Sequence, residues 1–181
     1  MLILILGVAL WAGAHLFKRL APARRAGLGD KGKGLVSVAL VVSIVLMVIG
    51  YRMADGAVLW GRSPALVGIN NLLMLLAFYI YAASVRGTRI TRWIRHAQLT
   101  AVLVWSGAHL LVNGDTPSFV LFGGLAVWSV VQMLVINRAE GPRAPYVAPA
   151  MKSEVLAGVI SVVAFSLVAA IHLWLGYNPF G

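Results

Sequence analysis

The chain has no cysteine and only five acidic residues in 181. Without thiols there is no disulfide, no thiolate ligand and no cysteine nucleophile, so thiol chemistry and cysteine-ligated iron are excluded. The scarce carboxylates, Asp30, Asp55, Asp115, Glu140 and Glu154, all fall in loops or at the ends of apolar runs. A pump or coupled transporter keeps ionisable groups deep inside its spans, which disfavours that class here. There is no long polar segment to fold as a soluble domain, no G-x-S-x-G elbow and no H-E-x-x-H pair, so the common hydrolase signatures are missing as well.

What remains is strongly apolar: 61% hydrophobic and 11% charged residues, with a mean hydropathy of +0.91. That composition belongs to an integral membrane protein. Six apolar runs cover about 2–17, 35–51, 64–85, 97–113, 118–136 and 153–175. A span needs ~20 residues, with ~17 as the lower limit, so the first run is short. The expected fold is all-α, a bundle of six transmembrane helices forming one domain over residues 1–181.

The net charge of +10 sits between the apolar runs, and thirteen of the fifteen Lys and Arg lie in 18–34, 86–96 and 137–152. Arg52 and Arg62 alone lie on the other side. This is a positive-inside pattern rather than a nucleic-acid footprint, and it predicts both termini on the non-cytoplasmic side. The first run reads as an uncleaved helix, because its basic residues follow the apolar core instead of preceding it. Gly27, Gly29, Gly32 and Gly34 with Asp30 predict a flexible first loop, and Pro142, Pro145 and Pro149 break any helix in the third basic loop.

Depth within these spans sorts the four histidines. His15 and His96 fall in the cytoplasmic half; His109 and His172 fall in the outer half, with Asn70, Asn71, Asn113 and Asp115. Helical spacing puts His109 on a stripe with Gln98, Val102, Trp105 and Asn113, and His172 on one with Ser161, Phe165 and Val168. Polar groups at that depth are expensive unless they face protein, water or a ligand. Gln132, one turn past Trp128, is a further buried polar candidate. The plainer readings are an interfacial His96, interhelical hydrogen bonding by the other histidines, Asn113-Gly114-Asp115 as a helix end with Asp115 a cap, and tryptophans as an interface belt.

Imidazoles on separate helices can hold a metal or a haem iron. Haem suits this chain better than zinc, since a structural zinc wants four ligands and the chain lacks thiolates and intramembrane carboxylates. Arg92 and Arg95, or Arg52 and Arg62, are available to haem propionates.

The segment Arg95-His96-Ala97-Gln98-Leu99-Thr100, then Trp105, then His109-Leu110-Leu111-Val112-Asn113-Gly114-Asp115, resembles the signature of the NnrU family of bacterial membrane proteins. His15 before a basic loop and His172 followed by Gly176-Tyr177-Asn178-Pro179 resemble that family's two ends. Its usual Pro after the first signature His is Ala97 here, a change expected to touch the helix start more than the chemistry. The resemblance implies a multi-pass protein of the bacterial inner membrane in denitrification and nitric oxide metabolism. Kinship with the plant 15-cis-zeta-carotene isomerase implies haem b, an isomerase-like activity on a polyene lipid, and His15 and His109 as axial ligands, with His96 a further matched histidine. Depth separates His15 from His109 by roughly 15 Å at 1.5 Å per residue, so the residues themselves suggest His109 with His172 instead. A non-catalytic assembly or sensor partner of a nitrogen-oxide reductase is the competing expectation, with His and Asn only packing helices. No nucleic-acid partner is expected in either case.

Overall fold

The computed structural model describes residues 1–143 and 145–181. In chain order the elements are α1 (Leu2–Leu20), α2 (Pro22–Gly27), α3 (Gly29–Met53), β1 (Val58–Trp60), α4 (Pro64–Arg86), a 3-10 turn (Arg89–Arg92), α5 (Ala97–Val112), β2 (Gly114–Asp115), α6 (Thr116–Ser118), a π-helical turn (Phe119–Gly123), α7 (Gly124–Glu140) and α8 (Met151–Trp174). Two compact units interleave in sequence: Met1–Leu59 with Gly114–Gly141, and Trp60–Asn113 with Pro142–Gly181.

In the first unit, α1 and α3 pack as an antiparallel hairpin through glycine. A Cβ on Gly7 would stand 2.8 Å from the Met47 backbone nitrogen, and one on Gly50 would strike the Leu4 backbone. Lipid tails are as apolar as leucine, so helices in a bilayer associate by close backbone approach rather than by hydrophobic burial, and only glycine permits it here. Val38, Val41, Val45 and Val48 on α3 face outward, as a lipid-contacting flank requires. The guanidinium of Arg19 pairs with the Glu140 carboxylate, tying the ends of α1 and α7.

The expected flexible loop at Gly27–Gly34 is instead helical from Gly29 onward. Gly29, at φ +50°, takes the left-handed turn that separates α2 from α3, and Arg25 Nη1 donates to its carbonyl at 3.1 Å. Asp30 in the first turn complements the helix dipole. Gly32 lies under Arg25 and Leu28 with no room for a side chain. Glycine here serves packing, which composition alone reads as flexibility.

A two-stranded pairing of Val58–Trp60 with Gly114–Asp115 was not anticipated. It leads into α6, where Asp115 is the N-cap: Oδ1 accepts from Ser118 N at 2.8 Å and Oδ2 from Ser118 Oγ at 3.0 Å. Pro117 stands in the first helical turn, where its missing N–H has no intrahelical partner to lose. The continuous span Thr116–Glu140 contains the π-helical turn.

In the second unit, α4 packs against both α5 and α8. The buried face of α5 is Ala97, Ala101, Ala108 and Val112, another small-residue seam. At the end that carries the basic loops, Glu154 accepts from Arg89 N at 2.6 Å and from Tyr79 Oη at 3.2 Å, while Arg143 donates to the carbonyls of Thr91 and Arg92. At the other end α8 closes in a Schellman motif. Tyr177 N donates to His172 O at 2.8 Å and Gly176 N to Leu173 O at 3.0 Å, with Gly176 at φ +87°.

Among the described residues, five helices are long and apolar enough to cross a membrane: Leu2–Leu20, Gly29–Met53, Pro64–Arg86, Thr116–Glu140 and Met151–Trp174. The fourth expected span, α5, has only 16 residues, about 24 Å against a hydrocarbon layer of about 30 Å. It stops at Asn113, whose Nδ2 turns back onto His109 O at 2.8 Å.

Candidate functional site

Three histidines are held by one local device. His15 Nδ1 lies 3.1 Å from Trp11 O, His109 Nδ1 3.0 Å from Trp105 O and His172 Nδ1 2.8 Å from Val168 O. Each acceptor is the carbonyl four residues back on the same helix. A carbonyl only accepts, so Nδ1 carries the proton in all three and Nε2 of the neutral ring carries the lone pair. That is the tautomer a metal-ligating imidazole needs, with its other nitrogen fixed by a backbone acceptor.

His109 and His172 lie in the last turns of α5 and α8, within electrostatic reach of each other. The Trp105 ring sits 4.8 Å from the His109 ring. On α4, Asn70 Nδ2 donates to Asn71 Oδ1 at 3.1 Å, and Asn71 Nδ2 donates to Pro179 O at 3.1 Å. The Schellman turn carries the C-terminal segment back over this end, placing Phe180 6.4 Å from Phe165, which lies 6.4 Å from Phe78. The buried Asn70 Oδ1 has no hydrogen-bond partner.

The expected stripe on α8 is its less exposed face, with Ser161 and Ala169 buried and His172 half-buried. On α5 the stripe is displaced by one residue. The packed seam runs through Ala97, Ala101 and Ala108, so His109 and Trp105 flank it half-buried and Gln98 is exposed. Gln98 therefore does not join the site. His96 is the N-cap position of α5, at the opposite end of that helix from His109. Asn113 turns back on its own helix, and Asp115 lies in the first unit as a cap, the plainer reading of that residue. Arg92 lies over the Trp93 ring at 5.4 Å. Among the described residues no group of three or more His, Cys, Asp or Glu is placed to hold a metal ion.

His15 has a different neighbourhood, in the first unit. Its ring packs between Trp11 at 4.3 Å and Trp128 at 4.7 Å. One signal in the sequence would have linked it to His109. Trp11-Ala12-Gly13-Ala14-His15-Leu16 and Trp105-Ser106-Gly107-Ala108-His109-Leu110 are the same six-residue element, W-x-G-A-H-L, written once in each unit. In both copies the tryptophan supplies the carbonyl that fixes the imidazole four residues on.

The family model described as NnrU protein matches residues 3–179. The chain belongs to the NnrU family. No curated protein and no solved structure matches it. The NnrU-like block that begins at Arg95 covers α5 from its N-cap to β2. Ala97, where NnrU proteins usually carry proline, occupies the first helical position of α5, with His96 the N-cap before it. Proline is native to that position, so the departure leaves the helix start intact.

Proposed function

We propose that this NnrU-family protein binds haem b in the bacterial inner membrane and acts in nitrogen-oxide metabolism, with His109 as one axial ligand and His15 or His172 as the second. The observation that carries the reading is the Nδ1–H tie of these imidazoles to their own helices, which puts the ring lone pair on Nε2 in all three. The donor set fits haem, which asks the protein for one or two imidazoles rather than a cluster of ligands. When bound, haem supplies a redox-active iron. The chain's part is to orient the His109 ring through Trp105 O and shield it with the Trp105 indole. Isomerisation of a polyene lipid is the enzymatic form of the same reading and rests on kinship with the plant isomerase.

In this reading the three basic loops face the cytoplasm and α5 serves as a sixth, short span, accommodated by local bilayer thinning. A second reading, a non-catalytic partner of a nitrogen-oxide reductase, is favoured by Asn71 and Asn113 being engaged with backbone carbonyls as helix stitches. Absorption spectra of the detergent-purified protein, oxidised and dithionite-reduced, separate the two. Haem binding gives a Soret band and sharp reduced bands, lost in His109→Ala while the helical circular dichroism is retained. Of His15→Ala and His172→Ala, the variant that also loses the bands names the second ligand. A folded, colourless protein expressed with a haem precursor sinks the haem reading and leaves the partner role.

A further inference from the structure

The first unit holds a cluster of unsatisfied polar atoms that a haem held by His109 and His172 leaves unused. Trp11, His15 and Trp128 form a three-ring group, with the two indoles edge to face at 5.5 Å and an interplanar angle of 79°. Gln132 follows Trp128 by one turn of α7 and shares its buried face. Trp128 is 5% exposed and Gln132 8%. Trp11 Nε1, Trp128 Nε1 and Gln132 Oε1 are all buried with no hydrogen-bond partner. An unpaired buried polar atom is costly, so three on these packed faces call for an occupant.

The chemistry of these atoms restricts what the occupant is. The indoles offer two N–H donors, and His15 Nε2 offers a lone pair because Nδ1–H is already given to Trp11 O. The Gln132 carboxamide donates or accepts. The matching ligand therefore has oxygens that both accept and donate, on a flat body that packs among aromatic rings. His15 lies about 8 Å inside the end of α1 at 1.5 Å per residue, and both it and Trp11 are only half-buried on that flank. The ligand arrives from the bilayer. A hydrocarbon polyene leaves every donor unmatched. Arg19, one turn beyond His15 on α1, is already paired with Glu140, so its charge is engaged rather than offered to an anionic headgroup.

We propose that Trp11, His15, Trp128 and Gln132 bind the headgroup of a membrane-soluble quinol, one hydroxyl donating to His15 Nε2 and the quinol oxygens accepting from the indole N–H groups. The quinol is preferred over the quinone, because a quinone has no proton to give His15.

The test is anaerobic isothermal titration of decylubiquinol into the full-length protein in nanodiscs, with empty nanodiscs as reference. The expected result is one saturable site, at least tenfold weaker for decylubiquinone. Gln132→Leu and His15→Phe weaken quinol binding at least tenfold, Trp128→Phe, which keeps the ring and removes the N–H, weakens it severalfold, and Asn71→Ala in the second unit leaves it unchanged. Heats equal to those of empty nanodiscs, with ordered water as the occupant, overturn the proposal. So do equal affinities for quinol and quinone, or variants that titrate like the parent. Loss of the haem bands in His15→Ala also overturns it, since Nε2 is then an iron ligand. A colourless protein that still binds quinol refutes the haem reading alone.

Discussion

Replacing Asp115 separates a capping role from a role in the chemistry of the Asn113-Gly114-Asp115 corner. Asp115 accepts from Ser118 N at 2.8 Å and from Ser118 Oγ at 3.0 Å, and the fully buried Ser118 hydroxyl also meets Tyr51 Oη at 2.8 Å. Asp115→Ala removes an N-cap, about 1 kcal/mol, and a hydrogen bond to a buried hydroxyl, about 1–2 kcal/mol. The sum is about 2–3 kcal/mol. Asp115→Asn keeps the oxygen that receives Ser118 N and loses only the charge and one acceptor, so it costs less than half as much. Equilibrium unfolding in mixed micelles measures both. The cap assignment fails if the two variants are equally destabilised, or if Asp115→Ala keeps its stability and loses the haem bands.

Gly50→Ala forces a Cβ into the Leu4 backbone, where nothing flexible can yield, and is expected to destabilise the α1–α3 hairpin by about 1–3 kcal/mol; Gly13→Ala, with nothing within 4 Å, is neutral or stabilising in the same unfolding assay. Ala97→Pro at the first position of α5 is expected to change stability by less than ~0.5 kcal/mol, whereas Ala101→Pro in the same helix costs about 3 kcal/mol or more. Because the chain has no cysteine of its own, Asn178→Cys and Leu28→Cys report topology without background. A membrane-impermeant maleimide applied to intact cells labels the first and not the second, and the opposite result reverses the orientation.

Element starts were legible wherever residue chemistry marks them. Pro64 opens α4, Asn113 ends α5, and the proline-rich stretch before Met151 stays non-helical among the described residues. The small-residue seams were not legible, because hydropathy ranks alanine and glycine below leucine while helix packing in lipid prefers them. That is why the buried face of α5 fell one residue from its expected place and Gln98 was assigned inward. Glycine misled at residues 27–34 for the same reason. For the site, the depth argument joined His109 to His172 and set Gln132 inside the membrane. It did not join Trp128 to His15, since that contact depends on how α1 and α7 pack, over a hundred residues apart in sequence.

The interleaving of the two units sets an order on synthesis. The first unit lacks Gly114–Gly141 until long after Leu59 has been made. At about 5–20 residues per second that interval is about 4–16 s. Through those seconds α1 stands in the bilayer without Trp128 beside His15. The bond from His15 to the carbonyl of Trp11 needs no other helix. It lets the imidazole enter hydrocarbon with its proton already placed, so the nascent helix is insertable before the partners that complete its surroundings exist.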